Sequence, residues 1–301
     1  MNVNVSFDPL SKKFVGTLNG AVVVKSVGKA YVERRLEEMA GEKINFEAAA
    51  TKSAEKAERF SINARFGFVE KLVTMVATGV QPSAVITGEG GLGKTYTVTK
   101  TLKSHGYKDI SDLADFEVGM LINMRKCFTM VKGFSTAKGL YRTLFENNRS
   151  VVVFDDCDAV LKDPVALNIL KSALDSYGKR IISWNADMRD EDLPRSFNFE
   201  GRVIFISNMT QDKIDQAIRS RSMMIDLSMT LEQKIERMEH IAASEEFLPE
   251  YDSSIKTDAL KLIDTLKTEC KEISLRTLIA VSKIRANNKD WKDLATYMLT
   301  I

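Results

Sequence analysis

The spacing of apolar positions changes near residue 83, and the change predicts two kinds of structure. Before it, β-rich runs flank Asn19–Gly20, a dipeptide typical of hairpin turns because both central turn positions need positive φ. Helices are expected over Lys29–Ala40 and near Ile62–Ala77, and residues 47–59 are typical of a solvated helical connector. Residues 1–60 are therefore expected to form a separate β-hairpin and helix element.

From residue 83 onwards, short apolar runs alternate with helical patterns, which is typical of a parallel sheet covered by helices. The expected strands and helices are Ser83–Thr87, Lys94–His105, Lys126–Val131, Ala137–Asn147, Val151–Phe154, a helix from Asp163–Pro164 to Gly178, Val203–Ser207 and Met224–Leu227. After Ser228 the pattern is wholly helical, with segments over Leu231–Ala243, Ile255–Thr268, Ser274–Ala286 and Trp291–Leu299. The fold class expected is α/β, with a sheet domain over 61–228 and a small all-α domain over 229–301.

Composition and charge narrow the class of protein. The 301 residues are 44% hydrophobic and 28% charged, enough apolar material for a substantial core. Lys and Arg number 43 against 41 Asp and Glu, which argues against binding nucleic acid by bulk charge but leaves a local basic patch open. With neither a signal peptide nor an 18-residue apolar run, and with three scattered cysteines and two histidines, a cytoplasmic protein without disulfides or zinc is expected.

A glycine-rich segment lies between the first strand of the α/β region and the next helix. It fits GxxxxGK[ST], in which backbone N–H groups surround a β-phosphate and the helix N-terminus adds partial positive charge. Lys94, expected to be an exposed loop residue without core contacts, would reach the β- and γ-phosphates, and the Thr95 hydroxyl would ligate Mg²⁺. A chance glycine-rich turn is the alternative, which the strand–loop–helix context disfavours. The expected nucleotide-binding residues are Gly88, Glu89, Gly90, Gly91, Leu92, Gly93, Lys94, Thr95 and Tyr96.

Polar residues also follow two of the expected core strands. Asp155 and Asp156 come at the end of one strand, where α/β sheets bind ligands; Asp155 would hold Mg²⁺, and Asp156 would activate the attacking water. A turn capped by these acids is the alternative, and Asp158 is expected to be structural. Asn208 ends the second strand and is a candidate to hydrogen-bond the water or the γ-phosphate, although a strand-end Asn alone is usually a turn residue.

The order of phosphate loop, paired acids, strand-end Asn, Ser-Arg helix and helical tail resembles the AAA+ ATPases from Ile62 to the C-terminus. The resemblance implies a parallel P-loop NTPase sheet with flanking helices, followed by an α-helical lid. Ser220-Arg221-Ser222 is similar to the S-R-C stretch of clamp-loader-type members, which implies that Arg221 is an arginine finger acting on a neighbouring subunit. Arg219 is the second candidate, and two solvated helix arginines are the alternative.

Two further segments extend the resemblance. Ile273–Leu278 is similar to the sensor-2 segment of the AAA+ lid, which implies that Arg276 contacts the γ-phosphate within its own subunit. The stretch FDDCDAVLKDPVALNILKSALDS, residues 154–176, looks like AAA+ ATPases encoded by bacteriophages. Asp156 departs from the family, because Glu is usual there, and the shorter side chain puts the reaction rate in question.

The function implied is that of an ATP- and Mg²⁺-dependent AAA+ motor, a homo-oligomeric ring or spiral and most simply a hexamer. Its channel loops would be Lys132–Thr136, where Phe134 either grips a polypeptide or packs into the core, and Trp184–Phe199. Remodelling of a protein or protein complex is the first hypothesis, and a DNA-associated loader or switch is the second. A small-molecule kinase is disfavoured, because it needs neither a sensor-2 tail nor a bridging arginine. The host cytoplasm is the expected location if the protein is phage-encoded.

Overall fold

A computed structural model describes residues 3–8, 13–18, 21–40, 59–111, 123–133, 135–185 and 193–301. The contacts within it divide the chain into two compact units, residues 1–61 and 62–301. Among the described residues, no helix has both the length and the apolar character needed to cross a bilayer.

The described residues of the first unit form a small antiparallel sheet and a helix. Its strands are β1 (Val3–Asp8), β2 (Lys13–Leu18) and β3 (Ala21–Ser26), paired in the order β1-β2-β3. Helix α1 (Lys29–Ala40) follows and buries Val32 and Leu36 completely. Pairing of β2 with β3 across residues 19–20 agrees with the hairpin that the sequence predicts.

The second unit is built on a parallel sheet that the described residues form with six strands. These strands are β4 (Ser83–Thr87), β5 (Lys108–Asp109), β6 (Cys127–Lys132), β7 (Val151–Asp155), β10 (Arg202–Ser207) and β11 (Met223–Asp226), in the order β11-β4-β10-β7-β6-β5. A separate antiparallel pair, β8 (Ile181–Ser183) and β9 (Ser196–Asn198), precedes β10. The order matters for function because β10 lies between β4 and β7.

Helices cover both faces of this sheet and then form a separate cluster. The flanking helices are α2 (Ile62–Thr78), α3 (Lys94–Ser104), α4 (Ala137–Glu146), α5 (Pro164–Ala173) and α6 (Gln216–Arg221). The C-terminal helices are α7 (Leu231–Ala242), α8 (Ser253–Thr265), α9 (Leu275–Asn287) and α10 (Trp291–Thr300). The architecture is therefore the expected α/β sheet with flanking helices, an N-terminal hairpin element and a helical C-terminal region.

Three apolar clusters hold the second unit together. One joins α2 and α3 to the sheet, a second joins α4, α5 and α6 to the opposite face, and a third lies among the C-terminal helices. All five residues of β4 and of β7 are buried, which is what a parallel strand with helices on both faces requires.

The structure corrects one predicted helix and leaves three predicted segments open. Helix α5 ends at Ala173 instead of continuing to Gly178, because the Asp175 side chain accepts a hydrogen bond from the Tyr177 N–H (3.2 Å) and starts a turn. Gly178 lies in that turn with φ 75°. Residues 47–58, Phe134 and residues 186–192, which include parts of the two predicted channel loops, lie outside the described residues.

Candidate functional site

The glycine-rich loop leaves β4 through a backbone position that only glycine accepts. Gly88 has φ 133°, and a β-carbon there would lie 2.8 Å from the carbonyl carbon of Leu227. The loop then enters α3 with Gly93 at the N-cap position. The strand–loop–helix context that the sequence predicts for residues 88–95 is therefore present, with the N-terminus of α3 directed at the loop.

Lys94 is buried, which corrects the expectation of an exposed loop residue. It is the first residue of α3, is only 5% exposed, and donates from Nζ to the carbonyl oxygens of Gly88 (2.6 Å) and Glu89 (2.7 Å). Burial lowers the pKa of Lys94, and the acids Asp155 and Asp156 oppose this effect. The ammonium group is thus held inside the loop by the oxygens around it.

Thr95 and Asp155 meet across the gap between α3 and β7. The Thr95 hydroxyl donates to Oδ1 of Asp155 at 3.0 Å, and Asp155 is largely buried. A hydroxyl beside a carboxylate is a donor set that suits Mg²⁺, which usually takes one or two protein oxygens and completes its shell with water and phosphate oxygens. Consistent with this, the described residues contain no group of three or more His, Cys, Asp or Glu side chains that would hold a metal alone.

Asn208 connects the lysine to the second acid. Its Oδ1 accepts from Lys94 Nζ at 2.9 Å and its Nδ2 donates to Oδ1 of Asp156 at 2.8 Å. The position follows from strand order, because Asn208 comes directly after β10, between the loop strand β4 and the acid strand β7. Asp158 does not belong to this series of hydrogen bonds. Its carboxylate accepts from the Ser207 hydroxyl at 2.6 Å, which agrees with the structural role expected for it.

Asp156 differs from its neighbour Asp155 in exposure and backbone. It is exposed, and its φ of 55° lies in the left-handed region, where Asp is among the few favoured residues. Partial burial, followed by the charge of Asp155, raises the pKa of Asp156, while the positive charges of Lys94 and Arg276 oppose the rise. Asp155 therefore contacts Thr95, and its sequence neighbour Asp156 contacts Asn208.

The C-terminal helices contact the glycine-rich loop directly. The Leu275 N–H donates to the Gly91 carbonyl oxygen at 2.8 Å, and a β-carbon on Gly91 would lie 2.9 Å from Cβ of Ser274. The Leu92 side chain is fully buried in the apolar cluster of these helices, so only its backbone is available to a ligand. Glu89 forms an ion pair with Lys234 of α7. The loop and the helical region are therefore joined at Glu89, Gly91 and Leu92.

Arg276 lies in a cleft beside the glycine-rich loop. It is exposed at the start of α9 and lines a cleft of about 330 Å³ together with Glu89 and Gly90. Its charge also acts on Asp156. The structure thus brings Arg276 to the same site as the loop and the acids.

Arg219 and Arg221 end the short helix α6 and are not brought to this cluster. Arg219 is exposed, whereas Arg221 is half-buried and donates from Nη1 to the carbonyl oxygen of Ala217 at 3.1 Å. Among the described residues, Nε of Arg221 is buried without a hydrogen-bond partner. The Arg221 carbonyl accepts from the Ser83 hydroxyl, at the amino end of β4 and thus away from the loop at its carboxyl end.

A second cavity, of about 470 Å³, opens beside Gly93 and Tyr96. The Tyr96 side chain is 57% exposed and its hydroxyl donates to Glu246 (2.7 Å) at the rim. Arg237 of α7 also lines this cavity and is only 8% exposed. The sequence analysis missed Arg237, because one arginine in an amphipathic helix is normally solvated and no motif distinguishes it.

Comparison with known proteins agrees with this geometry. Residues 84–231 match the family described as "ATPase family associated with various cellular activities (AAA)". Residues 84–231 form an AAA domain. The chain is also similar to an uncharacterised 36.7 kDa protein from the nrdC–mobD intergenic region of Enterobacteria phage T4, with 28% identity over 255 residues. That alignment covers 78% of this chain and 73% of the phage protein.

The AAA match covers the glycine-rich loop, both acids, Asn208 and the two α6 arginines. Arg237 and Arg276 lie beyond it, within the stretch that packs on the loop from the C-terminal side. The AAA domain recognised from the sequence is confirmed, and the chain is similar to a protein encoded by a phage. ATP is the ligand that AAA domains bind, usually with Mg²⁺, and the donors described above are of the kind that such a ligand needs.

Proposed function

We propose that this protein is an ATP-hydrolysing, oligomeric AAA motor that remodels a protein or a protein complex. The observation that supports hydrolysis is the connected set of Lys94, Asn208 and Asp156 beside the Thr95–Asp155 pair. It places a cation for the phosphates, an acid for the attacking water and oxygens for a metal around one loop. Phosphoryl transfer needs mainly positioning and charge stabilisation, and these groups supply both.

Each residue has a distinct role in the proposed reaction. Gly88–Gly93 and Tyr96 surround the phosphates with backbone N–H groups, and Lys94 turns from Gly88 and Glu89 towards the phosphate oxygens. Thr95 and Asp155 hold Mg²⁺, which when bound neutralises charge on the phosphates. Asp156 accepts the proton of the attacking water, and Asn208 keeps this acid oriented through its 2.8 Å hydrogen bond.

Steady-state ATP hydrolysis with and without Mg²⁺ tests this proposal. Lys94→Ala is expected to abolish detectable turnover while the protein remains folded, as checked by circular dichroism. Lys271→Ala is the matched control, because Lys271 is an exposed lysine in the cleft next to the loop. Equal rates in wild type and Lys94→Ala would contradict the proposal.

In the proposed motor, each nucleotide is contacted by one arginine of its own subunit and one of a neighbouring subunit. Arg276 contacts the γ-phosphate within its own subunit, supported by its place in the cleft beside Gly90. Arg221, or Arg219, reaches the nucleotide of a neighbouring subunit in a ring or spiral, most simply a hexamer. Because a relative is a phage protein, we place this activity in the cytoplasm of the host cell.

A DNA-associated loader or switch is the second candidate function. The most arginine-rich cleft offers it little support. Arg180 and Arg202 donate to carbonyls at the ends of α5 and α2, and Arg125 and Arg149 both bond Glu200. All four arginines therefore already have hydrogen-bond or ion-pair partners within the protein. ATPase rates with and without single-stranded and duplex DNA, at two salt concentrations, decide between the candidates, because a DNA-linked activity rises with DNA and falls with salt.

A further inference from the structure

The cavity beside Gly93 has the size and position of a ligand pocket. Its volume, about 470 Å³, lies within the range of small-molecule sites. Helices α2, α3, α7 and α9 enclose it, and it opens where the glycine-rich loop enters α3. A nucleotide whose phosphates lie in the loop therefore has this cavity available for its nucleoside half.

Arg237 is a buried cation at the floor of the cavity without an acidic partner. It is 92% buried, its Nη1 donates to Oδ1 of Asn63 at 2.9 Å, and none of the ion pairs among the described residues includes it. Its Nε has no hydrogen-bond partner within the described part of the chain. Burial lowers the pKa of Arg237 to about 10, opposed only by Glu70. A buried cation on the wall of a cavity is available to a group that binds in the cavity.

The Arg237 guanidinium is stacked on an aromatic ring. Its Cζ lies 3.7 Å from the ring centroid of Phe66, which is itself buried. Nη2 lies 3.9 Å from the position of a β-carbon on Gly93, so the group is next to the phosphate loop. Guanidinium planes stack on nucleobases as they do on aromatic side chains.

We propose that Arg237, backed by Phe66, is the platform on which the base of the bound nucleotide stacks. The proposal rests on the function proposed above. Stacking is favoured because the guanidinium already lies over the Phe66 ring, while its Nη1 is bound to Oδ1 of Asn63. A base held by its face is recognised with little dependence on its edge.

Calorimetric titration of ADP and of pyrophosphate, both with Mg²⁺, tests the platform. Pyrophosphate has the phosphates of ADP without the nucleoside. Wild type is expected to bind ADP about tenfold or more tightly than pyrophosphate, the scale of one stacked base. Arg237→Lys, which keeps the charge but not the plane, should weaken ADP binding by about that factor and leave pyrophosphate binding unchanged. Arg285→Lys is the matched control, because Arg285 lies over Trp291 and pairs with Asp258 away from this cavity.

A second variant tests the cavity without removing a core contact. Gly67 lines the cavity within α2, and a β-carbon there has no neighbour within 4 Å. Gly67→Leu is expected to fill the space, to keep the protein folded and to reduce ADP affinity to that of pyrophosphate.

Three results would overturn the platform: equal affinity of wild type for ADP and pyrophosphate, unchanged ADP binding in Arg237→Lys, or parallel loss of both ligands. The last would make Arg237 a phosphate contact. Failure of the proposed function looks different, since wild type would then bind neither ligand or Lys94→Ala would bind both normally. If Arg237→Lys does not fold, the wild-type comparison and Gly67→Leu decide the question.

Discussion

Asp156 illustrates how a backbone conformation selects a reactive side chain. Its φ of 55° favours Asp or Asn over longer residues, which gives a physical reason for a shorter acid where related ATPases usually have Glu. Asn208 donates to this carboxylate at 2.8 Å and so fixes its orientation. The backbone conformation and the hydrogen bond together suit an aspartate at this position.

Asp156→Asn is expected to bind ATP normally but to hydrolyse it about 10²-fold or more slowly, the scale for loss of a general base. Asparagine accepts the same backbone conformation and can still accept the hydrogen bond from Asn208, so only the charge is lost. Single-turnover hydrolysis and ATP titration measure the two effects separately. Unchanged turnover would remove Asp156 from its proposed role.

The pH dependence of hydrolysis provides an independent check on the same residue. Partial burial and the charge of Asp155 raise the pKa of Asp156 above 3.8, the ordinary value for Asp. Because only the ionised acid works as a base, the acidic limb of the pH profile of kcat/KM should have its midpoint above pH 3.8. Arg276 opposes the rise, so Arg276→Gln should move this limb to still higher pH. A shift to lower pH would contradict the assignment.

Among the secondary-structure elements, five of the six strands described for the parallel sheet agree with the predicted bounds to within one residue, whereas the two-residue strand β5 was not predicted. Val151–Asp155 and Arg202–Ser207 are apolar runs buried on both faces, for which composition and length are sufficient signals. The predicted end of α5 at Gly178 is wrong. The helix ends at Ala173, because the turn that begins at Asp175 precedes Gly178. Strand β9 of the β8–β9 pair lies inside the predicted channel loop Trp184–Phe199, and strands of three residues are too short to be recognised from the sequence.

Two glycines are expected to respond oppositely to the same substitution. Gly88→Ala should cost about 2 kcal/mol or more of unfolding free energy, because φ is 133° and the new methyl would lie 2.8 Å from backbone atoms of Leu227. Gly67→Ala should gain about 0.5–1 kcal/mol, because it replaces glycine inside a helix and meets nothing within 4 Å. Urea denaturation measures both. A stable Gly88→Ala protein would mean that the loop accepts another path past Leu227.

At the scale of the whole molecule, the two compact units differ in what they carry. Residues 62–301 contain all the candidate site residues and the three apolar clusters of the sheet and helical region. Removal of residues 1–61 is therefore expected to leave basal ATP hydrolysis within about twofold of the full chain. Thermal melting of the shortened protein is the control, and loss of the folded state would show that the first unit is needed for stability.

Arg221 is the residue proposed to act on the nucleotide of a neighbouring subunit. Arg221→Ala should still bind ATP, because the loop, the metal ligands and Arg276 come from the same subunit, but should hydrolyse it about 10³-fold more slowly. Mixing it with Lys94→Ala should restore activity where an intact pocket meets an intact arginine. Arg219→Ala is the matched control that decides which α6 arginine acts.

Loss of activity in Arg221→Ala without rescue on mixing would mean that the arginine acts within its own subunit. A monomer that hydrolyses ATP at full rate at every protein concentration would contradict the oligomeric motor itself. Sedimentation with and without ATP, run beside the activity assay, separates these two outcomes.

The class of fold and the residues of the candidate site are largely readable from the amino-acid sequence alone. Strand runs, helix periodicity and the GxxxxGK[ST] spacing are local, so the loop, the two acids and the strand-end Asn208 could be found without a structure. Tertiary structure decided which of these groups meet. The order β4-β10-β7 inserts Asn208 between Lys94 and Asp156, and the packing of α7 beside the loop places Arg237 next to Gly93. These contacts join residues between 52 and 174 positions apart, and no local pattern records them, because they depend on how helices and strands pack.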